Sequence, residues 1–305
     1  ASLVEQMYKD FEDYGWSSGT YCQKVYQGYT TKITKDVVIS TWQSIYKMPK
    51  KYFEQFDCVI GDEAHFFKAK SLTSIMTKLH QCKYRFGFTG TLDGTETHRL
   101  VLEGLFGSVE QVVTTKELID KKTLANLKIK CITLKHPEKR ERMTYAEELD
   151  YLVSKESRNR FILELCNNIA GNTLCLFQLV EKHGKILYDG MKGKENVYFV
   201  YGGTDTDQRE KIRGLVEKHK NSTTIASYGT FSTGINIRNI HNIVLASPSK
   251  SKIRVLQSIG RGLRTSSTKD SILIFDIADD ISYKDRRNFT LNHFFERLNI
   301  YNEQQ

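Results

Sequence analysis

The sequence predicts an α/β protein with parallel sheets, and three observations support that fold class. Short runs of apolar and β-branched residues alternate along the chain with segments that have the apolar spacing of amphipathic helices. Strands and helices that alternate in this way form parallel sheets with helices on both faces. The length of 305 residues leaves room for about two domains of roughly 150 residues each. We therefore expect two parallel-sheet domains.

The predicted elements follow in chain order. Strands are expected at residues 37–41, 58–60, 84–88, 128–134, 173–177, 197–200, 223–226, 242–246 and 271–275. Helices are expected at residues 2–14 and 143–170, and amphipathic segments lie, for example, at residues 71–81, 178–192, 205–219 and 252–264. An α/β domain usually has a strand before its first helix, and no such strand precedes the helix at 2–14. The first domain is therefore expected to be incomplete at its N-terminus.

Composition excludes several classes of protein. Mean hydropathy is −0.45, and no stretch of apolar residues approaches the length of about 18 that a membrane-spanning helix needs. The first residues lack the basic and apolar regions of a secretory signal. Six cysteines without any CxxC spacing argue against a zinc ribbon and favour reduced thiols inside a cell. A net charge of +9 is compatible with a polyanionic partner such as nucleic acid.

The acidic motif Asp62-Glu63-Ala64-His65 carries the strongest chemical signal. It follows the apolar run Cys58-Val59-Ile60-Gly61, so both acids are expected at the carboxyl end of a strand. Nucleotide hydrolysis needs a metal ion that neutralises phosphate charge and a carboxylate that positions the attacking water. Asp62 would hold Mg²⁺, and Glu63 would face the water. The alternative is a solvated acidic loop that performs no chemistry.

The arginine motif, residues 257–264, places Gln257, Arg261 and Arg264 on one helix face. One amide and two guanidinium groups suit the γ-phosphate of a nucleotide. The alternative is an ordinary basic helix face.

A third segment, residues 226–236, follows a strand and is rich in hydroxyl groups, glycine and asparagine, which can bind ribose, phosphate or a nucleic acid backbone. A plain strand-to-helix turn explains it equally well.

Taken in chain order, these segments resemble the motor core of superfamily two helicases and translocases. The other matching segments are residues 2–6, Thr41-Trp42-Gln43-Ser44, Thr89-Gly90-Thr91, Leu174-Cys175-Leu176-Phe177 and 227–236. Their order and spacing agree over nearly the whole chain. Within the superfamily the chain looks most like bacteriophage recombination and branch-migration helicases of the UvsW type, which are related to the helicase subunits of restriction enzymes.

The resemblance implies an ATP-driven motor with two RecA-like domains, with ATP and Mg²⁺ in the cleft between them and nucleic acid across both. Asp62 and Glu63 would form the metal site, Glu63 would also activate water, and His65 would couple the site to Gln257. The other implied roles are γ-phosphate contacts from Arg261 and from Arg264 as arginine finger, nucleotide contacts near Gly234 and Asn236, and nucleic acid backbone contacts from Thr41, Gln43, Thr230 and Phe231. The expected polymer is DNA, the partners are recombination or replication proteins, and the protein is a monomer in the host cytoplasm without a membrane partner.

One departure from the family is the phosphate-binding loop, G-x-x-x-x-G-K-[ST]. Gly184-Lys185 is followed by Ile186 and Gly193-Lys194 by Glu195, so neither pair satisfies the pattern. The loop is expected upstream of Ala1 in the intact protein. This polypeptide alone is expected to hydrolyse ATP poorly or not at all.

The expected domain organisation has four parts. They are a partial first domain at 1–115, a junction at 116–155, a second domain at 156–285 and a C-terminal helix at 286–305. Two other functions remain open at this point: the motor subunit of a restriction-type translocase, and a catalytically inactive module that binds nucleic acid.

Overall fold

A computed structural model describes residues 2–90, 92, 95–137, 141–234, 237, 239–248, 260 and 271–304. The chain divides into two compact units, Ala1–Gln111 (unit 1) and Val112–Gln305 (unit 2). Both are built from helices and parallel strands, so the predicted α/β class is confirmed. The four-part division at residues 115, 155 and 285 stays a prediction.

Unit 1 contains short strands and helices. In chain order they are α1 Ser2–Asp13, α2 Ser18–Tyr21, β1 Cys22–Val25, β2 Val37–Ser40, α3 Trp42–Ile45, α4 Lys50–Phe53, β3 Cys58–Gly61, a 3₁₀ turn Ala64–Phe66, α5 Lys70–Lys78, β4 Tyr84–Gly87 and α6 Glu96–Phe106. Strand β1 pairs with β2, and β3 pairs with β4, both in parallel.

The β3–β4 pair of unit 1 is covered unevenly. Its glycines pack against the cluster that includes Phe67 and Phe106, and a Cβ atom at Gly61 would lie only 2.7 Å from Cζ of Phe67. The other face carries Ile60 and Phe86, which are 66% and 48% exposed. Because parallel sheets usually bury both faces, this open apolar face is unusual.

Unit 2 contains the larger sheet. In chain order its elements are α7 Thr115–Asp120, β5 Asn126–Lys135, α8 Tyr145–Ser154, α9 Glu156–Asn168, β6 Thr173–Phe177, a π-helical turn Val180–Gly184, α10 Lys185–Asp189, β7 Val197–Val200, α11 Thr206–Lys218, β8 Thr223–Ser227, α12 Tyr228–Gly234, β9 Asn242–Leu245, β10 Ser271–Asp280 and α13 Phe289–Gln304. Helices α7 and α8 each begin at a Thr-x-x-Glu capping box, in which the threonine side chain and the glutamate satisfy free backbone amides.

The six strands of unit 2 form one parallel sheet in the order β5-β10-β9-β6-β8-β7. Strands β6, β8 and β9 are buried throughout, and apolar clusters cover both faces of the sheet. Strand β5, which lies in the segment predicted as a junction, pairs with β10 along its whole length. The carboxyl ends of all six strands meet at one edge, which we call the carboxyl edge.

Several features differ from the predicted elements. The single helix expected at 143–170 is wrong, because Lys155 has an extended backbone with ψ 113° and separates two helices. The side chain of Asn159 donates to the Val153 carbonyl, which would accept a backbone hydrogen bond in a continuous helix. The segment 178–192 begins as a π-helical turn, in which Gly184 packs against the ring of Phe177. Strand β1 was not expected. The helix expected at 252–264 lies outside the described residues, apart from Gly260.

Among the described residues, none of the helices combines the length and apolar composition that a membrane-spanning segment requires. All six cysteines are free thiols, as the sequence predicts.

Candidate nucleotide and nucleic acid sites

The acidic motif forms a tight turn at the carboxyl end of β3. Asp62 is exposed, and its Oδ1 atom accepts a hydrogen bond of 2.8 Å from the backbone N–H of Glu63. The other carboxylate oxygen of Asp62 has no partner among the described residues. The turn is joined to the next strand because Phe88 N donates to the Gly61 carbonyl and Ala64 N donates to the Phe88 carbonyl.

Glu63 has a left-handed backbone conformation, with φ 49° and ψ 50°. Residues other than glycine, asparagine and aspartate seldom adopt this conformation, which costs on the order of 1 kcal/mol or more. Such strain is typical of functional sites, where the surrounding structure holds a side chain in a required direction. The Oε2 atom of Glu63 lies 3.3 Å from Nδ1 of His65.

His65 is 1% exposed and ties the acidic turn to two other segments. Its Nδ1 atom lies 2.9 Å from the hydroxyl oxygen of Thr89, which follows β4. Its backbone carbonyl accepts a hydrogen bond of 2.8 Å from Nε2 of His98 on α6. Nε2 of His65 is buried and has no hydrogen-bond partner among the described residues. The structure therefore brings together the acidic motif and the Thr89 motif, which are separate in sequence.

His98 is a member of this arrangement that the sequence did not indicate. It is 3% exposed, and its side chain is hydrogen-bonded to the backbone carbonyl of His65 in the 3₁₀ turn. Because any residue at position 65 would offer that carbonyl, no sequence pattern identifies the role of His98. A lone histidine on a helix is usually a core residue, and only its position beneath His65 reveals this contact.

The side chains of the acidic turn are suitable ligands for Mg²⁺. Mg²⁺ is usually held by one or two carboxylates together with phosphate and water oxygens, and Asp62 offers an exposed carboxylate oxygen for this. No group of three or more His, Cys, Asp or Glu side chains that could hold a metal ion occurs among the described residues. The first Gly-Lys pair is not a phosphate loop in the structure either, since Lys185 lies on α10 and forms an ion pair of 2.7 Å with Glu181.

The predicted nucleic acid residues of unit 1 lie at the carboxyl end of β2. The Thr41 hydroxyl is 2.9 Å from the hydroxyl of Ser44, and Gln43 on α3 is exposed. Both residues are therefore placed where a parallel sheet presents its ligands.

The predicted residues of unit 2 have a different outcome. Thr230 and Phe231 on α12 are 4% and 1% exposed, and Phe231 packs in the core of the sheet. This burial leaves the Phe231 side chain no surface to offer a nucleic acid. Gly234 is the last residue of α12. The remaining predicted site residues of this unit lie outside the described residues: Asn236, Gln257, Arg261 and Arg264.

Two family models match the sequence. Residues 1–94 match the model described as the res subunit of type III restriction enzymes, and residues 146–266 match the helicase conserved C-terminal domain.

Three similar proteins extend these matches. The chain is 34% identical over its whole length to the ATP-dependent DNA helicase uvsW of Enterobacteria phage T4, and it spans 65% of that relative. The crystal structure of T4 UvsW matches all of the chain and 64% of the solved protein, with 33% identity and a TM-score of 0.53. An HsdR-type subunit of a type I restriction enzyme from Vibrio vulnificus matches 84% of the chain and 50% of the solved fragment, with 17% identity and a TM-score of 0.64. The last likeness concerns the fold alone.

The parallel sheets, the acidic motif at a strand end, the two family models and the 34% identity to UvsW over the whole of this chain agree with one another. The chain therefore belongs to the superfamily two helicases, with UvsW-like helicases as its relatives and a fold of the RecA-like kind.

Proposed function

We propose that the intact protein carrying this chain is an ATP-dependent DNA helicase or translocase that acts on branched or recombination DNA intermediates. The observation that carries the proposal is the strained acidic turn at the end of β3, fixed by the contact of His65 with Thr89. The 34% identity to a relative described as an ATP-dependent DNA helicase supports the same function.

In this proposal the acidic turn divides the work between two carboxylates. Asp62 binds Mg²⁺, which neutralises charge on the phosphates when bound. Glu63 accepts a proton from, and orients, the water that attacks the γ-phosphate. His65 and His98 hold the backbone of the turn, so that both carboxylates keep their directions.

The other roles rest on the family resemblance. Gln257, Arg261 and Arg264 would act on the γ-phosphate, with Arg264 as arginine finger, and Gly234 and Asn236 would lie near the nucleotide. Thr41 and Gln43 would contact the nucleic acid backbone, whereas Thr230 and Phe231 would act through their backbone atoms because their side chains are buried. Neither Gly-Lys pair of these 305 residues supplies the phosphate-binding loop that the family resemblance implies.

DNA is the proposed polymer because the relative uvsW is described as a DNA helicase. We further propose a monomer in the cytoplasm of a host bacterium, acting beside recombination or replication proteins. Because the contacts are mainly to phosphates, affinity for DNA should fall steeply as salt rises.

A restriction-type motor is the second candidate. The match of residues 1–94 to a type III restriction subunit and the fold likeness to an HsdR-type subunit favour it. DNA cleavage that requires ATP would support this function over the first. An inactive module that binds nucleic acid is the third candidate, and it predicts binding without hydrolysis.

The test is ATP hydrolysis and strand separation by the intact protein. We expect hydrolysis to rise when DNA is added, and forked DNA to be unwound faster than duplex DNA with blunt ends. Hydrolysis that is the same with and without DNA would contradict the proposal.

A further inference from the structure

Strand β10 extends beyond its neighbour β9 at the carboxyl edge of unit 2. Residues 273–276 of β10 pair with 242–245 of β9, and β10 then continues to Asp280 beside β5. Four further residues at about 3.3 Å each place the end of β10 about 13 Å beyond the last residue that pairs with β9. The segment that follows therefore lies at the carboxyl edge, beyond the end of β9.

That segment, residues 282–289, is a well-fixed turn, which we call the basic turn. Tyr283 and Arg286 exchange two backbone hydrogen bonds of 3.1 and 3.2 Å, and Lys284 at its tip has φ 53°. Asn288 fastens the turn to the sheet, because its Oδ1 atom accepts from Ile281 N at 3.1 Å and its amide donates to the Asp279 carbonyl at 3.0 Å. The backbone of the turn is thus held in a defined position.

The start of α13 beside the basic turn has no free amides to offer an anion at its first two positions. Phe289 N and Thr290 N donate to the carboxylate of Glu148 at 2.9 and 2.6 Å. Any anion at this end of the sheet would therefore be bound by side chains of the basic turn.

The charges of the basic turn are largely uncompensated. Lys284, Arg286 and Arg287 are all exposed, and none forms an ion pair with a described residue. Asp285 is the one acid within residues 282–289. The Arg287 guanidinium lies 4.4 Å from the ring centre of Phe295, which is itself 40% exposed. Cations interleaved with exposed rings are typical of surfaces that bind a nucleic acid strand.

We propose that the basic turn is a nucleic acid contact, in which Lys284, Arg286 and Arg287 bind the phosphate backbone. The position supports this class of partner: β10 and β8 are three strand spacings apart, about 14 Å, and the resemblance assigns the loop after β8 to nucleic acid. A few nucleotides of one strand would span that distance. The inference rests on the proposed function, since it assumes that nucleic acid lies along the carboxyl edge.

The experiment compares two triple variants of equal charge. In the first, Lys284, Arg286 and Arg287 are all changed to Ala. In the second, Lys194, Lys218 and Lys220 are changed to Ala; these lysines are exposed at the opposite, amino edge of the same sheet and form no ion pair with a described residue. Far-ultraviolet circular dichroism and the thermal midpoint check that both variants fold as the parent does.

Binding of the full 305-residue chain to fluorescent single-stranded DNA is then measured by anisotropy at several salt concentrations. We expect the basic-turn variant to bind about tenfold more weakly at low salt, and its slope of log affinity against log salt to shrink by about 2, for three lost phosphate contacts. The amino-edge variant should keep the slope of the parent.

Two results would overturn the inference. If affinity and the slope of log affinity against log salt fall equally in both triple variants, the effect comes from net charge alone and the basic turn is not a nucleic acid contact. If the basic-turn variant binds as the parent does, the turn serves another partner, such as an acidic protein. A parent chain that binds no DNA at all would instead contradict the proposed function.

Discussion

The two units of the chain differ in how completely they bury their strands. Unit 2 covers both faces of a six-stranded sheet, and strands β6, β8 and β9 are buried at every residue. Unit 1 leaves one face of the β3–β4 pair open, with Ile60, Phe86 and Phe88 exposed by 66%, 48% and 59%. Yet the acidic turn lies in unit 1. The residues with the clearest chemistry therefore stand on the less completely buried framework.

The polar contacts of the two units differ in the same way. In unit 2, Arg158 and Asp279 form an ion pair of 2.8 Å in which both side chains are fully buried. In unit 1, the Lys24–Glu5 pair of 2.9 Å is at the surface, with the carboxylate side 45% exposed. Buried pairs are costly to break singly, whereas surface pairs contribute little. Four predictions test this contrast. The first three concern stability and are given from the largest expected effect to the smallest, and the fourth concerns ATP hydrolysis.

The largest stability effect is expected from Asp279→Ala. Burial raises the pKa of the Asp279 carboxyl, but the charge of Arg158 and the hydrogen bonds from His136 and Arg158 outweigh burial and hold this pKa below its usual value. Removing the carboxylate leaves Arg158 buried without its partner, which should lower the free energy of unfolding by about 3–5 kcal/mol. Urea unfolding followed by circular dichroism measures it.

Glu5→Ala is the matched control in unit 1, because it removes one carboxylate from an exposed pair. It should leave the urea midpoint close to that of the parent. Equal shifts for the two variants would break the contrast between the units.

A smaller effect is expected from pH at His183. Burial, aided by the charge of Arg158, lowers the pKa of His183 from 6.5 to about 3. Between pH 6.5 and pH 3 this histidine binds a proton in the unfolded chain but not in the folded chain. The free energy of unfolding therefore falls as the pH drops from 6.5 towards 3. Between pH 7 and pH 5 this histidine alone should cost about 2 kcal/mol of unfolding free energy.

His183→Asn should remove that part of the pH dependence. Urea unfolding of the parent and the variant at both pH values measures the difference between their pH slopes, which does not depend on how the substitution changes stability at pH 7. Identical slopes in the two proteins would show that His183 titrates normally.

The smallest stability effect concerns strain in the two units. Glu63 and Lys122 both have left-handed backbones, with φ 49° and 55°. Asparagine tolerates this conformation, so Glu63→Asn and Lys122→Asn should each raise the free energy of unfolding by about 0.5–1 kcal/mol. In the intact protein only the first should impair ATP hydrolysis. Loss of activity in both variants would mean that the strain at Glu63 has no special link to the chemistry.

Most of the strands could be predicted because apolar, aromatic or β-branched residues predominate in them. Strand β1 could not, since Gln23 and Lys24 make it half polar. Gln23 is buried because its side chain donates to the Lys32 carbonyl at 2.7 Å and accepts from Thr34 N at 2.9 Å. Those partners lie beyond the strand itself, so local pattern does not reveal them.

The candidate site shows the same limit. The acids Asp62 and Glu63 could be predicted from their place after an apolar strand. The contact of His65 with His98 depends on how α6 packs, and the basic turn depends on the unequal lengths of β9 and β10. Both arise from pairing between distant parts of the chain. A sequence pattern consists of residue types and their spacing. Neither the contact of His65 with His98 nor the basic turn has a characteristic pattern of this kind.

The most direct test of the proposed motor is Glu63→Gln in the intact protein, measured as ATP hydrolysis in the presence of DNA together with the affinity for ATP. The amide keeps the shape of the carboxylate but cannot take a proton from water, so kcat should fall by about a hundredfold or more while ATP still binds. A variant with the kcat of the parent would remove Glu63 from the reaction and contradict the assignment of the acidic turn.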